Sequence, residues 1–207
     1  MKTICKIALP LLILTFFLSK TTIATYVSYI TTVNITVQSY AFDVYFLHRI
    51  DLTEVTPAGK LMNTTRPPFS QLETNCTVLR GGYIYFYTEP LPIMTIENST
   101  WTLYLWASTV SSGKTSALTI QIDVVSSNGS IVKASVGNIS GVVIDYGVSE
   151  RVITILGSRV DIASTDRIRL TIHVETGSTN DPKGIIFYYD GYGTYETLYH
   201  ETRLQLG

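Results

Sequence analysis

The sequence predicts an all-β protein: a β-sandwich of jelly-roll or immunoglobulin-like type, preceded by an extended N-terminal strand. Three observations carry that prediction. The chain is rich in Thr, Ser, Val, Ile and Tyr, residues that suit a pleated, half-buried surface or its loops. Apolar residues recur at every second position, as in Leu118, Ile120, Ile122, Val124 and again in Ile168, Leu170, Ile172, Val174, the period of a strand with one buried face. Turn residues separate these stretches, and none of them carries a convincing helical pattern.

Taken in order, the chain opens with Lys2 and Lys6, an apolar run from Ile7 to Leu18, and the small-residue end Thr22-Ile23-Ala24. A positive start, a short apolar core and a small residue at the cut make residues 1–24 a signal peptide. The run falls short of the ~20 apolar residues of a membrane span, and Pro10 weakens it further. The expected product is secreted and extracellular, with no membrane contact after leader cleavage. Residues 25–39 form a tail in which Val27, Tyr29, Val33, Ile35 and Val37 alternate with polar residues, uninterrupted by Gly or Pro. Such a strand has two possible partners, its own domain or another molecule.

Residues 40–207 make the expected sandwich. Tyr40 to Leu52 reads as its first strand, apolar on both sides at its far end. Thr53 to Thr77, with Pro57-Ala58-Gly59 and Pro67-Pro68, reads as a long exposed connection. Gly82 to Thr88 is an aromatic strand, with Tyr83, Tyr85 and Tyr87 on one face and Ile84 and Phe86 on the other. Thr100 to Ser108 and Ala117 to Ser126 follow, and Asn128-Gly129 signals a hairpin turn. Ile131 to Val136, Val142 to Tyr146, Arg151 to Leu156 and Asp166 to Glu175 come next; the last sets Arg167, Arg169, Thr171 and His173 opposite its aliphatic face. A polar turn leads to Gly184 to Asp190, and Thr202 to Leu206 closes the chain.

Charged residues make up 15% of the chain and the net charge is -1, so neither nucleic acid nor a polybasic membrane role is indicated. Six of the seven asparagines stand in Asn-X-Ser/Thr acceptor sites: Asn34, Asn63, Asn75, Asn98, Asn128 and Asn138. These predict covalent N-glycans on solvent-facing positions. Of the two cysteines, Cys5 lies in the leader and Cys76 remains alone, so no internal disulfide is expected. His48, His173 and His200 are scattered, no nucleophile elbow, zinc motif or phosphate loop is present, and Asp43, Asp51 and Asp123 read as solvated carboxylates. The expectation is a protein that is not an enzyme, with no catalytic residue and no cofactor. Glu175, Asp181 and Asp190 flank a polar turn without a recognised calcium spacing, so no metal is expected either.

From Trp101 to Asp190 the order of patterns resembles a module of archaeal extracellular proteins: Trp101-Thr-Leu-Tyr-Leu, then Leu-Thr-Ile-Gln-Ile-Asp-Val-Val, then Asp-Arg-Ile-Arg-Leu-Thr-Ile, then Phe187-Tyr-Tyr-Asp-Gly191. With the leader, the free N-terminal strand and the acceptor sites, the whole resembles the crenarchaeal surface filaments called threads. That resemblance implies a glycosylated filament subunit whose N-terminal strand (Val27, Tyr29, Val33, Ile35, Val37) fills a groove in the next, identical subunit by donor-strand complementation. Adhesion or biofilm formation would be the role. Strand addition of this kind satisfies an open sheet edge, and a head-to-tail contact propagates rather than closing. The alternative is a monomeric secreted carbohydrate-binding or cell-envelope β-sandwich, with Tyr188, Tyr189, Tyr192, Tyr195 and Tyr199 offering aromatic faces to sugars.

Overall fold

A computed structural model describes residues 44–68, 71–176, 184–191 and 201–207. The expected signal peptide, the N-terminal tail with its proposed donor residues, Asn34, Asp43, Asp181, Tyr192, Tyr195, Tyr199 and His200 lie outside them.

The described residues are all-β, with strands and turns but no helix. Thirteen strands run as β1 (Val44–Leu52), β2 (Gly59–Asn63), β3 (Thr74–Leu79), β4 (Tyr83–Tyr87), β5 (Met94–Ile96), β6 (Ser99–Thr109), β7 (Ser116–Val125), β8 (Val132–Ile144), β9 (Ser149–Gly157), β10 (Val160–Ile162), β11 (Arg167–Val174), β12 (Gly184–Tyr189) and β13 (Arg203–Leu206). Eleven of them form one mixed sheet in the order β3-β12-β6-β13-β1-β2-β4-β11-β7-β8, with β9 on β6, while β10 and β5 make a separate pair. The strands enclose one large apolar core, as a β-sandwich does. It joins Trp101, Leu103 and Leu105 of β6 to Ile120 and Ile122 of β7, Leu170 and Ile172 of β11, and Phe86 of β4. At roughly 1.5–3 kcal/mol for each fully buried aliphatic side chain, this alternation is the main source of stability.

The C-terminal strand occupies the middle of the sheet. β13 pairs with β6 through Leu204↔Leu103 and with β1 through Tyr45↔Leu204, and Leu204 is fully buried. β12 uses the same margin of β6 further along, at Trp106 to Thr109. At the junction, Thr202 fills in for the missing ladder: its hydroxyl accepts from the Trp106 N–H at 3.2 Å and donates to the Tyr188 carbonyl at 2.5 Å. Buried backbone groups need such partners.

Three expectations about elements need correction. The stretch from Thr53 to Thr77 is not one exposed connection. It contains β2 and the start of β3, and Leu61 and Met62 are buried. Gly59 makes this possible by lying so close to β4 that a Cβ there would stand 2.5 Å from the Tyr87 ring. The two strands expected at Ile131–Val136 and Val142–Tyr146 are one, β8, which keeps pairing with β7 through register shifts and a glycine at φ +71°, Gly141. The short pair β5 and β10 was not anticipated. The turn at Asn128-Gly129 stands as expected: Gly129 has φ +74° and the Ser126 N–H donates to the Ile131 carbonyl at 2.9 Å.

Candidate ligand-binding face

β4, β11 and β7 lie side by side, and their inward positions are apolar while the opposite positions carry chemistry. Tyr83 and Tyr85 project from β4, Arg169, Thr171 and His173 from β11, and Gln121 and Asp123 from β7. The registers align them in rows: Tyr83↔His173↔Thr119, Tyr85↔Thr171↔Gln121 and Tyr87↔Arg169↔Asp123. Directly opposed residues on one face are close enough to interact.

The first row is aromatic. The Tyr83 ring stacks on the His173 imidazole with centroids 4.3 Å apart and planes within 15°, and lies parallel to Tyr85 at 5.9 Å. The third row is ionic. The Arg169 Nη2 donates to Asp123 Oδ2 at 2.7 Å and the Gln121 amide donates to Asp123 Oδ1 at 2.8 Å, so both oxygens of this fully buried carboxylate are satisfied. The Arg169 guanidinium also stands 5.8 Å from the Tyr85 ring centroid, within cation–π reach. Burial pushes the Tyr85 and Tyr87 hydroxyls above the ordinary phenol range, and Arg169 partly offsets this in both.

Two buried polar atoms of these rows, the Thr171 Oγ1 and the Arg169 Nε, have no hydrogen-bond partner among the described residues. Thr171 is 8% exposed. At the margin of the face, a cleft of about 290 Å³ opens between the β1–β2 hairpin end and β4, lined by Asp51, Thr53, Lys60, Tyr83 and Tyr85 among others. Lys60 Nζ and Asp51 Oδ1 are paired there at 2.6 Å.

The other singled-out residues fall elsewhere. His48 is buried, with Nδ1 2.8 Å from Asp190 Oδ1 and Nε2 2.9 Å from Asn63 Oδ1. The Asn63 oxygen also accepts from the Thr65 N–H at 2.9 Å, which marks it as the acceptor end of that amide. The imidazole thus bridges Asp190 and Asn63 and ties β1 to the end of β12. Asp190 sits at φ +59° and takes a second hydrogen bond from the Arg49 N–H at 3.1 Å. Glu175 accepts from the Thr119 hydroxyl and the Gly141 N–H, each at 2.8 Å. Among the described residues no acidic, His or Cys cluster fits a metal ion. Asn75, Asn98, Asn128 and Asn138 are exposed, and Asn63 is half-buried beside His48. Cys76 is half-buried, and burial raises its thiol above the usual range. Tyr189 is a core residue, packed edge-on to Phe86 at 5.5 Å, and offers no face to a sugar.

Sequence reasoning missed the face. The signal was present in the polar row Arg169, Thr171, His173 and in the run of tyrosines, but their pairing joins residues more than eighty positions apart.

No protein-family model and no curated protein matches the chain. Solved structures do share its fold. A CocE/NonD family hydrolase from Staphylococcus aureus superposes with a TM-score of 0.57 at 11% identity, over 80% of this chain and 36% of that one. A second crystal structure of a CocE/NonD family hydrolase from Staphylococcus aureus gives 0.56 at 11% identity, over the same shares of the two chains. An aminopeptidase from a marine sediment Thaumarchaeota archaeon gives 0.50 at 12% identity, over 76% of this chain and 36% of that one. The chain thus spans about a third of the length of these hydrolases. These likenesses overturn the expectation of a filament subunit with a pilus-like, adhesive role, and with it the expectation of a protein that is not an enzyme. At its centre the sheet is complete among the described residues. The chain's own C-terminal strand sits in its middle, between β6 and β1, and the described strands bury their own core.

Proposed function

We propose that this chain is a β-domain of hydrolase type that receives the substrate, on the face built from Tyr83, Tyr85, Thr171, His173 and Arg169. The observation that carries the reading is the aromatic row, Tyr83 stacked on His173 and parallel to Tyr85, set beside the Arg169 guanidinium. Recognition sites combine apolar and aromatic walls with a few well-placed polar groups, and this face has that make-up. The solved hydrolases support the class of system, since each contains a domain of this fold within a longer chain. Hydrolysis by the whole protein is part of the proposal. The residues described here supply its recognising surface.

Two variants test the reading against a purely structural role, with p-nitrophenyl esters and aminoacyl p-nitroanilides as probes for binding and turnover. Tyr83→Leu keeps bulk on the sheet and removes the exposed ring stacked on His173, so the fold is expected to hold. Probe affinity is expected to fall by several-fold. Tyr85→Leu keeps bulk on the sheet and removes the ring under Arg169, with the same loss expected. If neither class of probe engages the protein, or if both variants engage it as the parent does, the proposal fails.

A further inference from the structure

The cleft beside the face coincides with a strand margin that is open among the described residues. β2 and β4 pair in parallel at only two positions, Lys60↔Phe86 and Leu61↔Tyr87, and β2 begins at Gly59. β4 continues back to Tyr83 and is paired along its other side with β11 as far as Tyr83↔His173. Just beyond the β4 ends, Thr88 N–H donates to the Ile168 carbonyl and Val174 N–H to the Gly82 carbonyl, each at 3.0 Å. In an antiparallel ladder the hydrogen-bonded pairs alternate, so Ile84 and Phe86 also direct their backbone groups at β11. Tyr83, Tyr85 and Tyr87 direct theirs to the β2 side. The two-residue parallel bridge takes up the Tyr87 groups and the Tyr85 carbonyl. The Tyr83 N–H and C=O and the Tyr85 N–H are left without a ladder partner among the described residues.

Among the described residues nothing fills this place, because the chain turns away just before Gly59. The Thr56 N–H donates to the Asn128 carbonyl at 2.7 Å, and the Tyr87 hydroxyl donates to the Pro57 carbonyl at 2.8 Å. These bonds carry residues 56–57 over the sheet toward the β7–β8 turn. The room left beside Tyr83 and Tyr85 is the cleft of about 290 Å³, with the Lys60–Asp51 ion pair at its rim.

We propose that this margin takes a short extended peptide, which lies along β4 and continues the line of β2. The inference rests on the recognition-face reading and names its ligand class. Only an extended backbone offers acceptors and a donor in the alternation that Tyr83 and Tyr85 present, and strand addition at an exposed edge is a recurring way to hold a peptide. The two tyrosine rings flank alternate side chains of such a peptide, and Lys60 and Asp51 offer opposite charges to its polar groups or ends.

The test is amide hydrogen exchange, read by NMR on the full chain, with a capped peptide of alternating valine and threonine as probe. In the free protein the Tyr83 and Tyr85 amides exchange readily. Saturating peptide slows both by about tenfold or more, and a peptide methylated on alternate amide nitrogens binds about tenfold more weakly. Protection of both amides before peptide is added overturns the proposal, because the edge is then already covered. Peptide-induced changes at Thr171 and His173 without protection at Tyr83 and Tyr85 also overturn it, while leaving the recognition face standing. No response anywhere on the face overturns both, and peptide-independent self-association through this edge overturns the assignment of a peptide occupant.

Discussion

Asp123 is the residue whose removal separates a packed face from a loosely assembled one. Its carboxylate is fully buried and holds both Arg169 and Gln121. Asp123→Ala leaves a guanidinium in low-dielectric surroundings without its counter-charge, and a loss of about 3–5 kcal/mol is expected, measured as a lower urea midpoint at unchanged slope. A loss under about 1 kcal/mol, the range of exposed pairs, would mean that the row is solvated. Tyr189 gives a prediction in pH. Burial holds its hydroxyl well above the ordinary value of 10.0, with Cys76, Asp51 and Asp190 adding to the rise. A raised folded-state value favours the neutral form, so its contribution is complete below pH 10.0 and is lost as pH climbs beyond it. Ultraviolet titration is expected to show late-ionising tyrosines, Tyr85, Tyr87 and Tyr189, whose ionisation coincides with alkaline unfolding. Ionisation of every tyrosine near the ordinary value with the fold intact would contradict this. At this scale the sequence was informative about sides and silent about partners. The alternation in β4 and β11 correctly placed Ile84, Phe86, Leu170 and Ile172 inward. Nothing in it paired Asp123 with Arg169 or His48 with Asp190, because those contacts depend on which strands become neighbours.

Among the strands of the large sheet, β2 and β13 are short and matter the most for how it is joined. Gly59 stands where a side chain would meet the Tyr87 ring at 2.5 Å and the Tyr85 carbonyl at 2.8 Å. Gly59→Val is therefore expected to push β2 off β4 and cost about 1–3 kcal/mol, with faster exchange at the Met62 amide as the local readout. Unchanged exchange there would place β2 elsewhere. Leu204→Ala opens a cavity between β6 and β1 at a cost of about 2–5 kcal/mol, checked by thermal or urea unfolding. Long alternating strands such as β6, β7 and β11 were legible because one face is continuously aliphatic. β2 was hidden because five residues between proline-rich turns carry too little pattern, and β8 was split in two because Gly137 and Gly141 interrupt its alternation.

For the whole molecule, the fold class followed from strand period and turn chemistry, whereas the functional reading did not follow from pattern order. The motifs that resemble thread subunits, such as Leu118 to Val125 and Ile168 to Val174, are core strands here. Any sandwich with an aliphatic interior repeats them, so they reported packing rather than assembly. What the fold adds is a face in which aromatic stacking and a neutralised guanidinium meet on three adjacent strands. The most direct measurement of its role is an NMR titration of the full chain with the ester and anilide probes. Shift changes that saturate and concentrate at Tyr83, Tyr85, Thr171 and His173 are the predicted result. Saturable binding that leaves those four residues untouched and maps to another surface would contradict it.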